Sequence, residues 1–118
     1  MAIKDNLVQK KSFEFSLSII QLYKKLQNER EYIISKQLLR SGTSIGANIE
    51  EAIGGQSKKD FLSKISTSLK EARETKYWLK LLAESEITEI NVTSHQEDIL
   101  ELVNILSAIV KTTKSRLN

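Results

Sequence analysis

The stretch Leu39-Arg40-Ser41-Gly42-Thr43-Ser44-Ile45-Gly46-Ala47-Asn48-Ile49-Glu50-Glu51-Ala52 decides how this chain folds. Ile45, Ile49 and Ala52 continue an apolar row begun by Ile34 and Leu38, with Gly42 as a gap in it. A second row, Gln37, Ser41, Ser44, Asn48 and Glu51, runs beside the first. Both rows step by three and four residues, the spacing that keeps side chains on one face of an α-helix. An apolar seam flanked by small polar side chains predicts close approach of a second helix, aided by side-chain hydrogen bonds. It does not predict a reaction centre.

The bounds set by composition agree. A chain of 118 residues is the size of one domain, 1–118. Hydrophobic residues make up 40% and charged residues 28%, the balance of an ordinary soluble protein. There is no proline and there are only four glycines, so long helices and short loops are expected. The absence of cysteine excludes disulfides, thiolate metal sites and a cysteine nucleophile. His95 is the only histidine, so a zinc site would have to be built almost wholly from carboxylates. No apolar run reaches the roughly 18 residues needed to span a bilayer. Met1 to Asn6 lacks the apolar core of a signal peptide, and a cytoplasmic protein is expected. A net charge of +3 permits contact with nucleic acid without requiring it.

Outward from the opening stretch, four helices are predicted, over about 5–28, 29–53, 58–85 and 92–117. The first carries Leu7, Val8, Phe15, Ile19, Leu22, Tyr23 and Leu26 at helical spacing, and Phe13, Leu17 and Ile20 widen its apolar surface beyond one stripe. That extra width suits a helix facing both its own bundle and another subunit. Asn28, with Glu31 three residues on, reads as a capping box, and Gly54-Gly55 as a left-handed helix end. Ser57 and Asp60 read as a second capping box. The third helix has an apolar row of Leu62, Ile65, Leu69, Ala72, Leu79 and Ala83, broken by Lys76. On one side of it lie Lys59, Ser63, Ser66, Lys70, Arg73, Tyr77 and Lys80; on the other lie Lys64, Ser68, Glu71, Thr75 and Trp78. Thr93 and Gln96 could cap the last helix. Its heptad seam is Val92, Gln96, Ile99, Val103, Leu106, Val110, Thr113 and Leu117, broadened by Leu100, Leu102, Ile105 and Ile109. The fold class is all-α: an up-down-up-down four-helix bundle with left-handed supercoil packing.

Few features have the residue types that chemistry needs. His95, near Glu97 and Asp98, reads as a solvated first-turn residue rather than a proton shuttle, because no positioned partner is evident. Glu50, Glu51, Glu71 and Glu74 lie on the two central helices, but a di-metal bundle needs a Glu-x-x-His pair on two helices and there is none. No metal, no cofactor and no small-molecule substrate are expected, and no enzymatic activity. Arg40, Ser41, Ser44, Asn48, Glu51 and Glu71 form a candidate structural polar cluster, with Arg40 and Glu71 as ion-pair partners. Polar groups so close to the seam would be costly if left alone.

The basic stripe of the third helix is the most functional-looking surface. Lys59, Lys70, Arg73 and Lys80 with Tyr77 are candidate nucleic-acid contacts: cations neutralise phosphates, and an aromatic ring stacks on an unpaired base. The plain alternative is a solvated face whose charges are balanced locally by Glu71 and Glu74. Another is complementarity with the acidic first half of the last helix, Glu97, Asp98 and Glu101. No phosphate-binding glycine loop, nucleophile elbow or nucleotide fingerprint is present.

Two blocks resemble a known family. Gln37-Leu38-Leu39-Arg40-Ser41-Gly42-Thr43-Ser44-Ile45-Gly46-Ala47-Asn48-Ile49-Glu50-Glu51-Ala52 is similar to a signature of Arg and a Ser or Thr pair followed by Asn-Ile-x-Glu. Asp60-Phe61, then Ser68-Leu69-Lys70-Glu71-Ala72 and Thr75, resembles the second block, and Glu31 also fits. The family is that of bacterial four-helix-bundle proteins encoded within intervening sequences of large-subunit ribosomal RNA genes, often labelled ribosomal proteins. The likeness runs from about Leu7 to Leu82. The chain departs from the family at Arg30, where a proline is common, and at Gly54, which falls slightly late. The resemblance implies a four-helix protomer in a homopentameric ring and no established activity. A distant relative with that ring architecture, the accessory protein of diversity-generating retroelements, binds nucleic acid and a reverse transcriptase; the link is one of fold. The expectation is a homo-oligomeric, non-enzymatic bundle that contacts RNA or DNA, or associates with the ribosome, through its basic face. The alternative is a protein-interaction ring with no nucleic-acid role. No membrane contact is expected.

Overall fold

Four stretches of the chain alternate buried side chains three and four residues apart, and each is a helix in the computed structural model, which describes residues 3–117. Met1, Ala2 and Asn118, the ends of the expected domain, lie outside the described residues. The helices are α1 (Ile3–Asn28), α2 (Ile34–Ile53), α3 (Lys58–Ser85) and α4 (Thr93–Leu117). They form a bundle measuring 47 × 21 × 21 Å. Among the described residues α1 packs on α2 and α4, and α3 packs on α2 and α4, while the backbones of neither diagonal pair come close. With short loops (29–33, 54–57 and 86–92), this is the up-down-up-down arrangement.

The buried lines explain the packing. On α1 they are Val8, Ser12, Phe15, Ile19, Leu22 and Leu26; on α2, Leu38, Gly42, Ile45, Ile49 and Ala52. On α3 they are Ile65, Ser68, Ala72, Thr75, Leu79 and Leu82, and on α4, Ile99, Leu102, Leu106 and Ile109. A mean step of 3.5 residues is the coiled-coil spacing, which goes with a left-handed supercoil. Each fully buried Leu or Ile contributes about 1.5–3 kcal/mol relative to leaving it in water. Two lines are turned from the expected ones. On α3, Leu82 is buried and Ala83 exposed, so the core face runs through Ser68 and Thr75 and Lys76 interrupts nothing. On α4, Leu102 and Ile109 are buried while Leu117 is exposed and Val103 and Val110 are half-buried.

The helix ends also differ from expectation. Glu29 and Arg30 close α1 rather than open α2. Arg30 adopts φ 65°, its N–H bonds the Gln27 carbonyl at 2.9 Å, and the Glu31 N–H bonds the Leu26 carbonyl at 2.9 Å. These are the two reciprocal bonds of a left-handed helix terminus, here with arginine where glycine is usual. Glu31 is then free to cap α2: its buried carboxylate accepts the N–H groups of Ile33, Ile34 and Ser35 at 3.0, 3.1 and 2.6 Å. Asn28 therefore caps nothing. Gly54 and Gly55 are not left-handed; Gly55 matters because a Cβ there would lie 3.0 Å from the Ala52 carbonyl oxygen. Ser57 does cap α3, accepting the Asp60 N–H at 3.1 Å. At α4 the cap is Asn91, whose Oδ1 accepts the Thr93 N–H at 2.9 Å, in place of the expected Thr93 and Gln96 pair.

Candidate nucleic-acid interface

The outer face of α3 follows from its inner one. Turning Ser68, Thr75 and Leu82 inward leaves Lys59, Lys70, Arg73, Tyr77 and Lys80 on the opposite side, all of them exposed. From Lys59 to Lys80 the helix rises about 32 Å, at 1.5 Å per residue. Among the described residues none of these four cations has an ion-pair partner. The carboxylates that could have balanced them point elsewhere. Arg40 of α2 binds Glu71 at 3.2 Å and also pairs with Glu74. Glu101 of α4 pairs with Lys11 of α1. Lys64 does have a partner, Glu51 of α2 at 3.0 Å.

Tyr77 stands on this face with 56% of its surface exposed. Its ring meets that of Trp78 edge-on, with centroids 5.3 Å apart and planes 68° apart. The Trp78 indole N–H in turn donates to Glu74 at 2.9 Å, so the aromatic pair is tied to the Arg40 network.

The polar residues singled out on α2 divide into three groups. Ser41 is buried and shares a hydrogen bond with Thr75 of α3 at 2.8 Å. Arg40 and Glu51 cross to α3 at the surface through ion pairs. Ser44 and Asn48 turn back on their own helix: Ser44 donates to the Arg40 carbonyl at 2.6 Å and Asn48 to the Ser44 carbonyl at 2.9 Å. The sequence reading missed Ser68, which is buried and donates to the Ile45 carbonyl at 2.8 Å, and it missed Thr75. Their seven-residue separation, in phase with Ala72 and Leu79, was the available signal.

His95 is half-buried against α1 rather than solvated, and its Nδ1 is buried with no hydrogen-bond partner. Burial pushes its pKa below the ordinary value of 6.5; Ser18's backbone and then Asp98 pull back more weakly, and Lys25 adds the smallest push downward. An open depression of about 490 Å³ at the α2–α3 turn is lined by Glu51, Gly54, Gly55, Gln56, Asp60, Ser63 and Lys64. It contains no nucleophile paired with a base. Among the described residues no group of three or more His, Asp or Glu side chains is placed to hold a metal ion. No helix among them is long and apolar enough to cross a membrane.

Comparison with known proteins adds the lineage. A comparison with curated proteins finds no match. Among solved structures, the chain is similar to a protein of unknown function from the S23 ribosomal protein family of Bacteroides thetaiotaomicron VPI-5482. The two are 51% identical, the match covers 92% of this chain and 99% of that one, and the TM-score is 0.87. The profile of the 23S rRNA-intervening sequence proteins matches residues 4–108. With both blocks of the signature inside that span and the four helices in place, the chain belongs to the 23S rRNA-intervening sequence protein family.

Proposed function

We propose that this protein is a non-catalytic, cytoplasmic, self-associating helical scaffold, a ring of five copies, whose outer α3 face contacts RNA or DNA. The observation that carries the nucleic-acid reading is the uncompensated line of Lys59, Lys70, Arg73 and Lys80. Glu71 and Glu74, the neighbours best placed to neutralise it, are taken by Arg40. A row of unpaired cations along one rigid helix is an electrostatic track for phosphates. Four phosphates neutralised on a single strand give a log–log salt slope of about −3. A gel shift repeated over a range of salt concentrations reads that slope. Lys70→Glu, Arg73→Glu and Lys80→Glu together should abolish the shift; binding that survives all three excludes this face.

A second reading, a protein-interaction ring without a nucleic-acid role, is favoured by α1. Phe13 and Leu17 are 64% and 49% exposed on its outer side, with half-buried Ile20 beside them. An apolar strip of this kind suits a subunit contact. Light scattering separates the readings at their common root. A monomer at micromolar concentration removes the ring from both, and Phe13→Asp with Leu17→Asp should dissociate an assembly built on that strip.

A further inference from the structure

We infer that Tyr77 is a stacking platform for an unpaired base, which makes the ligand of the α3 face single-stranded nucleic acid. The inference rests on the nucleic-acid reading above and narrows it. Its first support is position. Tyr77 lies four residues after Arg73 and three before Lys80, so on the helix surface it neighbours both cations. A strand whose phosphates meet Arg73 and Lys80 passes its bases over that ring.

The second support is the way the ring is held. Tyr77 is 56% open to water, yet its ring has a neighbour against it. Trp78 meets it edge-on, Glu74 accepts the Trp78 indole N–H at 2.9 Å, and Arg40 on the neighbouring helix anchors Glu74. The brace therefore reaches across the α2–α3 seam. A ring with a held neighbour against it has less freedom to lose when a base lies on it, so more of the stacking energy appears as affinity. The third support is chemical. A paired base has both faces covered by its neighbours in the duplex, whereas an unpaired base offers a face to any exposed ring. Among the five stripe residues Tyr77 is the one aromatic, so base stacking falls to it.

The test uses three fluorescent probes with the purified full chain: one unstructured 20-nucleotide strand as RNA, the same strand as DNA, and the corresponding duplex. Tyr77→Ala should weaken binding of at least one of the two strands about tenfold and leave the duplex unchanged. Tyr77→Phe, which keeps the ring, should bind as the parent does. Duplex affinity that holds steady also reports that the variant is folded. Strand binding that ignores Tyr77→Ala, or falls equally on strand and duplex, overturns the stacking platform while leaving the basic face standing. Failure of all three probes to bind the parent protein removes the basic face and the platform together.

Discussion

At the α2–α3 seam the buried hydroxyls of Ser41, Ser68 and Thr75 all have partners, and Arg40 and Glu51 reach across the rim to carboxylates and an ammonium on α3. The α1–α4 seam is the sparsest of the four among the described residues. Its rim carries one ion pair, Lys11 with Glu101, and within it His95 keeps a buried nitrogen without a partner. Both seams bury leucine and isoleucine, but of the two only the first adds hydrogen bonds from buried side chains across the helices. Apolar burial favours any register that hides the same area, whereas a buried hydroxyl is satisfied in one register and left unpaired in the next. The α2–α3 pair is therefore expected to set the alignment of the bundle, and the sparser α1–α4 seam to open first.

The largest expected effect tests that claim at its centre. Thr75→Val strips the buried Ser41 hydroxyl of its cross-helix partner and should cost about 1–3 kcal/mol in urea unfolding. Adding Ser41→Ala should recover part of it, with a coupling on the order of 1 kcal/mol. Strictly additive losses would show that the two hydroxyls do not act together. The α1–α2 seam provides an intermediate case. A Cβ at Gly42 would sit 3.0 Å from both Cγ atoms of Ile19, so Gly42→Ala should destabilise by about 1 kcal/mol or more. At Gly46 the nearest atom is Ser12 Oγ at 3.4 Å, and Gly46→Ala should instead stabilise by about 0.5 kcal/mol through helix propensity. Opposite signs at two glycines one turn apart are easily scored by thermal melts.

The weaker seam should respond to acid. Burial holds His95 below its ordinary pKa of 6.5, so the folded chain takes up a proton less readily than the unfolded chain. Stability is then undiminished well above pH 6.5 and falls as the pH drops below it, until the folded ring also titrates. His95→Gln should flatten the His95 share of that fall in melts from pH 7.5 to 5.5; an unchanged profile would mean the ring carries no such load. The smallest effect belongs to Lys11. Glu101 raises its pKa through a hydrogen bond, but the pair lies at the solvent-facing rim, and Lys11→Met should leave the melting temperature almost where it was.

Much of this architecture is legible without coordinates. The lack of proline and the three-four rows on Leu38, Ile45, Ile49, Ile65, Ala72 and Leu79 point to a four-helix bundle, and the residues from Gln37 to Ala52 point to the family. The helix ends are read less well. The Glu31 carboxylate can cap α2 only because Arg30 takes a left-handed conformation, which no composition rule favours for arginine. The polar cluster is legible as a group but not in its partners. Ser44 and Asn48 look like Ser41 in the sequence, yet they bond their own helix and Ser41 alone reaches the buried seam.

What the sequence by itself determined is the number of helices, their order and, on α1 and α2, the face that turns inward, because periodicity is a local property carried by the chain. What only the tertiary structure decided is which charges cancel. Glu71 and Glu74 have the spacing to serve the lysines of their own helix, but Arg40, brought alongside by the packing of α2 on α3, takes them both. A guanidinium with five donors satisfies two carboxylates at once, which a single ammonium on the same helix cannot match in geometry. That exchange between helices leaves the outer face of α3 positively charged and braces Tyr77 upon it.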